Sequence, residues 1–232
     1  MKTIISAREE SDKKAAQQLR ELLERKADAV LAFSAGRSMT GLFRELGAMV
    51  KTGEMSLAKA TFFAVTEYED VEEGLSCRRQ LEEQLLSVTD LEPEHCHFLS
   101  EGSMESYEDA IQAAGGLDMV VLGLGDNAHI GFNEPATPFD SYTHRQKLTD
   151  ATRRQSAWLF GSEEAVPTYG YTMGIKTLVS AREILVLAYG EEKAGAVHKM
   201  LYGRNDSAVP AAFLQIPLEV TVYLDEAAAS KL

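Results

Sequence analysis

Residues 118–135, with the sequence DMVVLGLGDNAHIGFNEP, constrain what this chain can fold into more than any other stretch. They begin with a short apolar run, residues 119–122, whose length and β-branched content are typical of a buried strand. Gly123 and Gly125 then end the strand and allow the backbone to pass close to a ligand. Open α/β sheets bind their ligands beyond the carboxyl ends of the strands. The polar residues after this strand therefore lie where such a sheet would hold a binding site.

A dense group of acid, base and amide side chains follows these glycines, namely Asp126, Asn127, His129, Asn133 and Glu134. A polar loop with one chance histidine is the alternative interpretation, because a single histidine is a weak signal. The segment is more specific than that, since His129 lies five residues before Glu134 and the loop closes with Asn-Glu-Pro. We therefore interpret it as a candidate site of proton transfer.

Composition excludes several classes of protein. The chain has 232 residues without an evident linker or repeat, which predicts one domain over residues 1–232. A formal net charge of −13 argues against binding to nucleic acid, which requires basic surface. No apolar run approaches the roughly 20 residues of a membrane span, and residues 1–14 lack the apolar core of a secretory signal.

The cysteines and histidines point to a reduced protein without a metal. Cys77 and Cys96 are too few for a disulfide framework, and no CxxC or HExxH spacing occurs. We therefore expect a cytoplasmic enzyme or binding protein. The sequence leaves open whether it forms a homo-oligomer.

Hydrophobic periodicity predicts helices and strands along most of the chain. Helices are expected at residues 8–26, 75–88, 107–114 and 170–179 and from residue 191 onward, with a helical turn at 210–214. Strands are expected at residues 28–33, 60–65, 95–99, 119–122, 183–188 and 220–224. Residues 136–166 are predicted to be irregular apart from a short strand near 146–148.

A second candidate site follows the predicted strand at residues 28–33. The segment SAGRSMTGLFREL, residues 34–46, has the layout of a small-residue turn and a helix, which places backbone N–H groups at an anion. It lacks the spacing of a Walker loop and the glycines of a dinucleotide-binding turn, so an ordinary strand–helix turn is the alternative. Lys193, one turn past the strand at 183–188, could place an ammonium near a phosphate, although a lysine there is usually solvated.

Three separated segments resemble one family of sugar-phosphate enzymes. GLGDNAHIGFNEP (123–135), FSAGRSMT (33–40) and YGEEK (189–193) resemble the glucosamine-6-phosphate deaminase/isomerase family. Residues 115–135 and 171–193, with Asn at position 127, look most like its galactosamine-6-phosphate isomerase (deaminase) branch. The resemblance covers nearly the whole chain and implies a Rossmann-like α/β fold, a mostly parallel sheet flanked by helices on both faces. It implies a small sugar phosphate as the ligand and no nicotinamide or metal cofactor.

The resemblance also assigns roles to individual residues. The family's phosphate-binding residues match Ala35, Gly36, Arg37, Ser38 and Lys193. His129 matches the residue that opens the sugar ring by moving a proton between the ring oxygen and the anomeric hydroxyl. An imidazole with an ordinary pKa of about 6.5 suits this task. Glu134 matches the carboxylate that orients this histidine.

The chain departs from the family at the residue that moves a proton between C1 and C2. The deaminases carry Asp-Glu-Tyr at this strand end and use the Asp, whereas this chain has Thr66, Glu67 and Tyr68. A threonine hydroxyl is too weak a base for this step, so we expect Glu67 or Asp70 to supply the carboxylate. Alternation along an extended segment would point Glu67 away from the side that Thr66 faces, so this expectation requires a rearranged loop.

Two further departures concern hydrogen bonding and the phosphate. Asn127 stands where the deaminases carry another acid, and its amide could hold the histidine or a substrate hydroxyl but not exchange protons. Trp158 stands where the deaminases carry an arginine that grips the phosphate, with Arg153 and Arg154 nearby.

Three hypotheses follow. The first and favoured one is an aldose–ketose isomerase/deaminase that converts an amino-sugar 6-phosphate, in the first place galactosamine 6-phosphate, to a ketohexose 6-phosphate and ammonia. The second is a sugar-phosphate-binding protein that has lost catalysis, motivated by Thr66 and Asn127. The third is a 6-phosphogluconolactonase-type lactone hydrolase, although the HIGFNEP ending resembles the deaminases. Galacto and gluco substrates differ in the partners of one hydroxyl, which the sequence does not reveal.

Overall fold

The centre of the computed structural model, which describes residues 1–232, is a sheet of seven parallel strands. The strands of the chain are β1 (Lys2–Ile5), β2 (Val30–Phe33), β3 (Thr61–Ala64), β4 (Thr66–Tyr68), β5 (Cys96–His97), β6 (Met119–Gly123), β7 (His144–Lys147), β8 (Tyr169–Thr172), β9 (Glu183–Ala188) and β10 (Val220–Leu224). The central sheet has the order β1-β10-β9-β6-β2-β3-β5, and every neighbouring pair is parallel. The predicted Rossmann-like α/β fold is confirmed.

Helices cover both faces of this sheet and bury a separate core on each. They are α1 (Arg8–Arg25), α2 (Thr40–Thr52), α3 (Cys77–Gln84), α4 (Tyr107–Ala113), α5 (Asp150–Phe160), α6 (Ile175–Val179) and α7 (Ala194–Tyr202). On β6, Val120 and Leu122 join one core while Met119 and Val121 join the other. Because successive strand residues point to opposite faces, a strand covered on both sides is a continuous apolar run. None of the helices has the length and apolar composition that a membrane-spanning helix requires.

A small antiparallel sheet begins at the carboxyl end of β3. Its strand order is β4-β8-β7, and β4 follows β3 after the single residue Val65. A third apolar cluster, which includes Tyr68, Phe132 and Leu148, packs beside it. The small sheet therefore extends from the edge of the central sheet where ligands of α/β proteins bind.

The order of the central sheet reverses between β2 and β6. From β2 the chain proceeds outward through β3 to β5, whereas from β6 it proceeds through β9 to β10 on the other side. Loops that leave two such strands diverge, and a crevice forms at their carboxyl ends. The loops that begin at Ser34 and at Leu124 flank this crevice.

Several predicted elements differ from the observed ones. Residues 136–166, predicted to be irregular, contain helix α5 besides β7, and residues 170–179, predicted to be helical, contain strand β8 before the short α6. Helix α5 buries only Thr152, so its sequence carries no apolar stripe. Its ends are set by Thr149, which caps the first turn, and by Gly161, which adopts the left-handed conformation. Strands β1 and β4 were not predicted, and the strand expected at 95–99 is only two residues long.

Candidate active site

A cavity of about 240 Å³ lies at the crevice between β2 and β6. Its walls come from segments that follow the carboxyl ends of β2, β3, β6 and β9, and from helices α1, α3 and α5. The predicted site residues that line it are Ala35, Gly36, Arg37, Ser38, Thr66, His129 and Lys193. Glu67, Asn127 and Glu134 do not line it. The fold thus brings the predicted phosphate loop, the lysine and the histidine to one cavity.

The loop after β2 presents four backbone donors. The N–H groups of Ala35, Gly36, Arg37 and Ser38 make no hydrogen bond within the protein. Gly36 has a φ of 113°, a conformation that strains other residues, and its carbonyl accepts from the Met39 N–H just before α2. Unpaired N–H groups beside a helix N-terminus form a site for an anion.

Lys193 brings a positive charge to the same cavity. It ends a short turn after β9, and its side chain is 7% exposed. Its Nζ donates to Oδ1 of Asp126 at 2.5 Å, and Asp126, which follows Gly125, is 41% exposed. The ammonium is therefore held between a carboxylate and the cavity.

His129 packs directly on the backbone of Gly125. A Cβ atom at Gly125 would overlap the imidazole ring, which explains the second glycine of the motif. Nδ1 of His129 lies 2.9 Å from Oγ1 of Thr152, and Nε2 makes no hydrogen bond within the protein. Burial lowers the pKa of His129, while the nearby Glu134 acts in the opposite direction. The neutral imidazole is therefore favoured at neutral pH.

Glu134 acts on the histidine from a greater distance than the resemblance implies. Its Oε2 lies 3.8 Å from Nδ1 of His129, too far for a hydrogen bond. The carboxylate is buried and accepts from Nδ2 of Asn127 at 2.8 Å, from the Thr149 N–H at 3.0 Å and from the Thr149 hydroxyl at 3.2 Å. Thr152 makes the direct contact, and Glu134 contributes a negative charge behind it.

Thr152 was not identified from the sequence, because it lies on the helix that the periodicity missed. Thr149 caps α5 by accepting from the Thr152 N–H, which places Thr152 in the first turn, against His129. The pair Thr149-Asp150 is a helix-start signal that could have revealed this element.

Asn127 holds the loop rather than a substrate. Its Oδ1 accepts from the His129 N–H at 3.0 Å, and its Nδ2 donates to Glu134 and to Thr149. Of the two roles expected for this amide, contact with the histidine segment is therefore the one it performs here. Its side chain does not line the cavity.

Glu67 does not supply a carboxylate to the cavity, so that expectation is wrong. Its oxygens accept from the backbone N–H groups of Tyr68, Cys77 and Arg78 at 2.7–2.8 Å, at the start of α3. Because side chains alternate along β4, Thr66 faces the cavity and Glu67 faces away. Burial raises the pKa of Glu67, and the three N–H donors oppose this rise. Its neighbour Asp70 is exposed and also lies outside the cavity wall.

The arginines near Trp158 do not enter the cavity. Arg153 donates to backbone carbonyls, among them that of Val166, and Arg154 pairs with Glu163. Trp158 lines the cavity and is stacked by Arg37, whose Cζ lies 5.4 Å from the ring centroid. Trp158 thus brings an aromatic ring, and Arg37 beside it, to the cavity wall.

Two buried polar atoms in the cavity wall have no partner. They are Oγ of Ser34 and Oε1 of Gln80. Buried polar groups are normally hydrogen-bonded, so each atom could still accept a hydrogen bond from a water or a ligand. Cys77 also lines the cavity, with its Sγ 3.6 Å from Oγ1 of Thr66. Burial raises the pKa of this thiol well above its ordinary value.

Comparisons with known proteins agree with the motifs and the fold. A family described as glucosamine-6-phosphate isomerases/6-phosphogluconolactonase matches residues 6–223. Glucosamine-6-phosphate deaminase 2 of Bacillus subtilis is 37% identical over 100% of this chain and 98% of its own length. The corresponding deaminase of Clostridioides difficile is 36% identical over 95% of this chain and 92% of its own length.

Solved structures show the same similarity in the fold. A monomeric glucosamine-6-phosphate deaminase, 33% identical, superposes with a TM-score of 0.96 over 100% of both chains. A 6-phosphogluconolactonase from Thermotoga maritima shares the fold, with a TM-score of 0.74 over 96% of this chain and 97% of its own at 20% identity. The chain therefore belongs to the glucosamine-6-phosphate isomerase/6-phosphogluconolactonase family.

Proposed function

We propose that this protein is an aldose–ketose isomerase/deaminase that converts an amino-hexose 6-phosphate to a ketohexose 6-phosphate and ammonia. The observation that carries the proposal is a single cavity that joins four free N–H groups and Lys193 to the imidazole of His129. The names of relatives at 36–37% identity over nearly their whole lengths support the same reaction class.

The phosphate fixes the sugar and His129 moves the first proton. With the phosphate at residues 35–38, the sugar extends toward His129, whose Nε2 is free for the ring oxygen and the anomeric hydroxyl. A base that both takes and gives a proton works best when it is neutral before the step. Burial favours this neutral state, and Glu134, 3.8 Å from Nδ1, stabilises the imidazolium that forms transiently.

Few groups in the cavity could accept the proton from C2 of the sugar. The only carboxylate in the cavity wall is Glu192, next to Lys193 at the phosphate end. Thr66 and Cys77 also line the cavity, and neither ionises readily near neutral pH. His129 remains as the group that can accept this proton. We therefore expect turnover slower than that of an enzyme with an aspartate at position 66.

Ammonia release from glucosamine 6-phosphate and galactosamine 6-phosphate tests the proposal. The matched control is His129→Gln, which should bind inorganic phosphate as the unchanged protein does but release no ammonia above background. Thr66→Asp should raise the rate by placing a carboxylate in the cavity. If the unchanged protein binds the sugar phosphates yet releases no ammonia, the proposal is wrong.

That negative result, followed by gained activity in Thr66→Asp, would favour the sugar-phosphate-binding protein. Hydrolysis of 6-phosphogluconolactone in a parallel assay would favour the lactonase, whose reaction needs no proton shuttle at carbon. The two alternatives thus give different outcomes in the same set of measurements.

The preference between the two amino sugars stays a prediction. Galactosamine 6-phosphate was favoured because residues 115–135 and 171–193, with Asn127, resemble that branch, but the Asn127 amide is occupied by Glu134, Thr149 and the His129 N–H. The names of the relatives support glucosamine 6-phosphate. We propose that glucosamine 6-phosphate has the higher kcat/KM, and a higher value for the galacto epimer would reverse this choice and restore the original prediction.

A further inference from the structure

Helix α1 begins with an arginine that reaches the same cavity. Arg8 lines the wall beside the loop of residues 35–38 and Lys193, although it lies far from both in the sequence. We infer that Arg8 is a phosphate-binding residue whose guanidinium donates to the anion held by that loop. The inference rests on the proposed function only in taking this anion to be the phosphate of a sugar.

The position of the guanidinium carries the argument. Nη2 of Arg8 donates to the carbonyl oxygen of Arg37 at 2.7 Å, so the group touches the loop whose N–H groups are free. Its Cζ lies 5.0 Å from the centroid of the Tyr189 ring, which precedes the turn that carries Lys193. Arg8 therefore lies between the two walls that a bound phosphate would bridge.

A buried pair, Asp12 and Tyr189, lies behind Arg8, whose own side chain is 41% exposed. Asp12, one turn further along α1, is 1% exposed, and its Oδ2 lies 3.8 Å from Nε of Arg8. Oδ1 of Asp12 accepts from the hydroxyl of Tyr189 at 2.8 Å. A Cβ atom at Gly41 would overlap the Asp12 carboxylate, so the glycine makes room for it. A guanidinium fixed in advance loses less side-chain entropy when it binds a phosphate.

The charges around the cavity leave Arg8 as an available cation. The chain carries a net charge of −13, so an anionic substrate needs local positive charge. Lys193 is already paired with Asp126, and Arg37 is exposed and stacked on Trp158. A guanidinium has five N–H donors, and the contacts with Arg37 and Asp12 leave several of them free.

Phosphate titration of three variants tests this inference against a purely structural role. Arg8→Gln should weaken the binding of inorganic phosphate, measured by calorimetry, by roughly 10- to 100-fold, the range for one hydrogen bond to a charged group. The phosphate affinity of Arg8→Lys should lie between those of Arg8→Gln and the unchanged protein, because lysine keeps the charge but loses the forked geometry. Lys13→Gln removes the same charge from an exposed position of α1 and should bind phosphate normally.

Each outcome supports or overturns the inference about Arg8. If Arg8 only tethers the loop, Arg8→Gln should lower the unfolding temperature while the affinity for phosphate stays within twofold. That result would overturn the inference. Equal weakening in Lys13→Gln would show a general charge effect and overturn it as well. Should Arg8→Gln fail to fold, the comparison of Arg8→Lys with the unchanged protein decides in the same way. The titration needs no turnover, so a protein that binds phosphate through Arg8 but releases no ammonia would refute the proposed function and keep this inference.

Discussion

Replacing Asp126 with asparagine should make the empty protein less stable and its affinity for phosphate higher. Oδ1 of Asp126 accepts from Nζ of Lys193, whose side chain is only 7% exposed and has little access to water. Asparagine keeps the shape and one acceptor oxygen but removes the negative charge. We expect a phosphate that binds Lys193 to displace this carboxylate from the ammonium, so Asp126 competes with the ligand.

The size of the effect follows from the exposure of the two partners. A hydrogen bond to a charged group contributes about 1.5–3 kcal/mol. Because Asp126 is 41% exposed, solvent screens the pair, and we discount its contribution to about 1–2 kcal/mol. Since 1.4 kcal/mol corresponds to about a factor of ten, phosphate should bind roughly 5- to 30-fold more tightly. The bound state no longer depends on Asp126, so what the empty protein loses reappears as affinity.

Urea unfolding with and without phosphate, together with calorimetric titration, measures both sides of this exchange. The control is Asp28→Asn, the same substitution at an exposed position after α1. Loss of stability in Asp126→Asn without a gain in affinity would refute the competition. An equal gain in Asp28→Asn would attribute the effect to net charge instead.

Three further variants test the site. Gly125→Ala should push the His129 ring out of place and lower kcat at least 100-fold, while the affinity for phosphate stays unchanged. Its control is Gly74→Ala, where the added methyl group meets no other atom and kcat should be unaltered. Thr152→Val removes the partner of Nδ1 and should lower kcat about 10-fold and shift its pH profile, with KM nearly constant. Glu67→Gln places an amide NH₂ against backbone donors and should lower the free energy of unfolding, measured in urea, by about 2 kcal/mol.

The parts of the fold predicted correctly are those specified by burial. Strands β6, β9 and β10 were predicted within a residue or so, because strands covered on both faces are continuous apolar runs. Helix α5 was missed because its sequence carries no apolar stripe, and its two ends are determined by Thr149 and Gly161. Local capping chemistry, read before periodicity, would have identified it.

The residues of the candidate site also divide into those that the sequence pattern identifies and those that it does not. The loop of residues 35–38 and His129, which line one cavity, could be predicted as site residues because glycines and polar residues directly follow predicted strands. Arg8 and Thr152 could not, since each approaches the cavity from a helix and no local pattern marks the contact. The orientation of Glu67 did follow from strand alternation, and the rearranged loop that would have turned it inward is not formed.

The groups proposed to bind the phosphate are charged or polar donors, whereas the other candidate carriers of the C2 proton are uncharged, and this difference bears on catalysis. Lys193, the four free N–H groups and Arg8 are the groups proposed to hold the phosphate, whereas Thr66 and Cys77 carry no charge. Binding energy from a remote phosphate can hold a substrate against its reacting groups, which compensates in part for a weak base. On the proposed function, weakening the phosphate contacts should therefore lower kcat as well as raise KM. An effect confined to KM would mean that the phosphate only anchors the sugar.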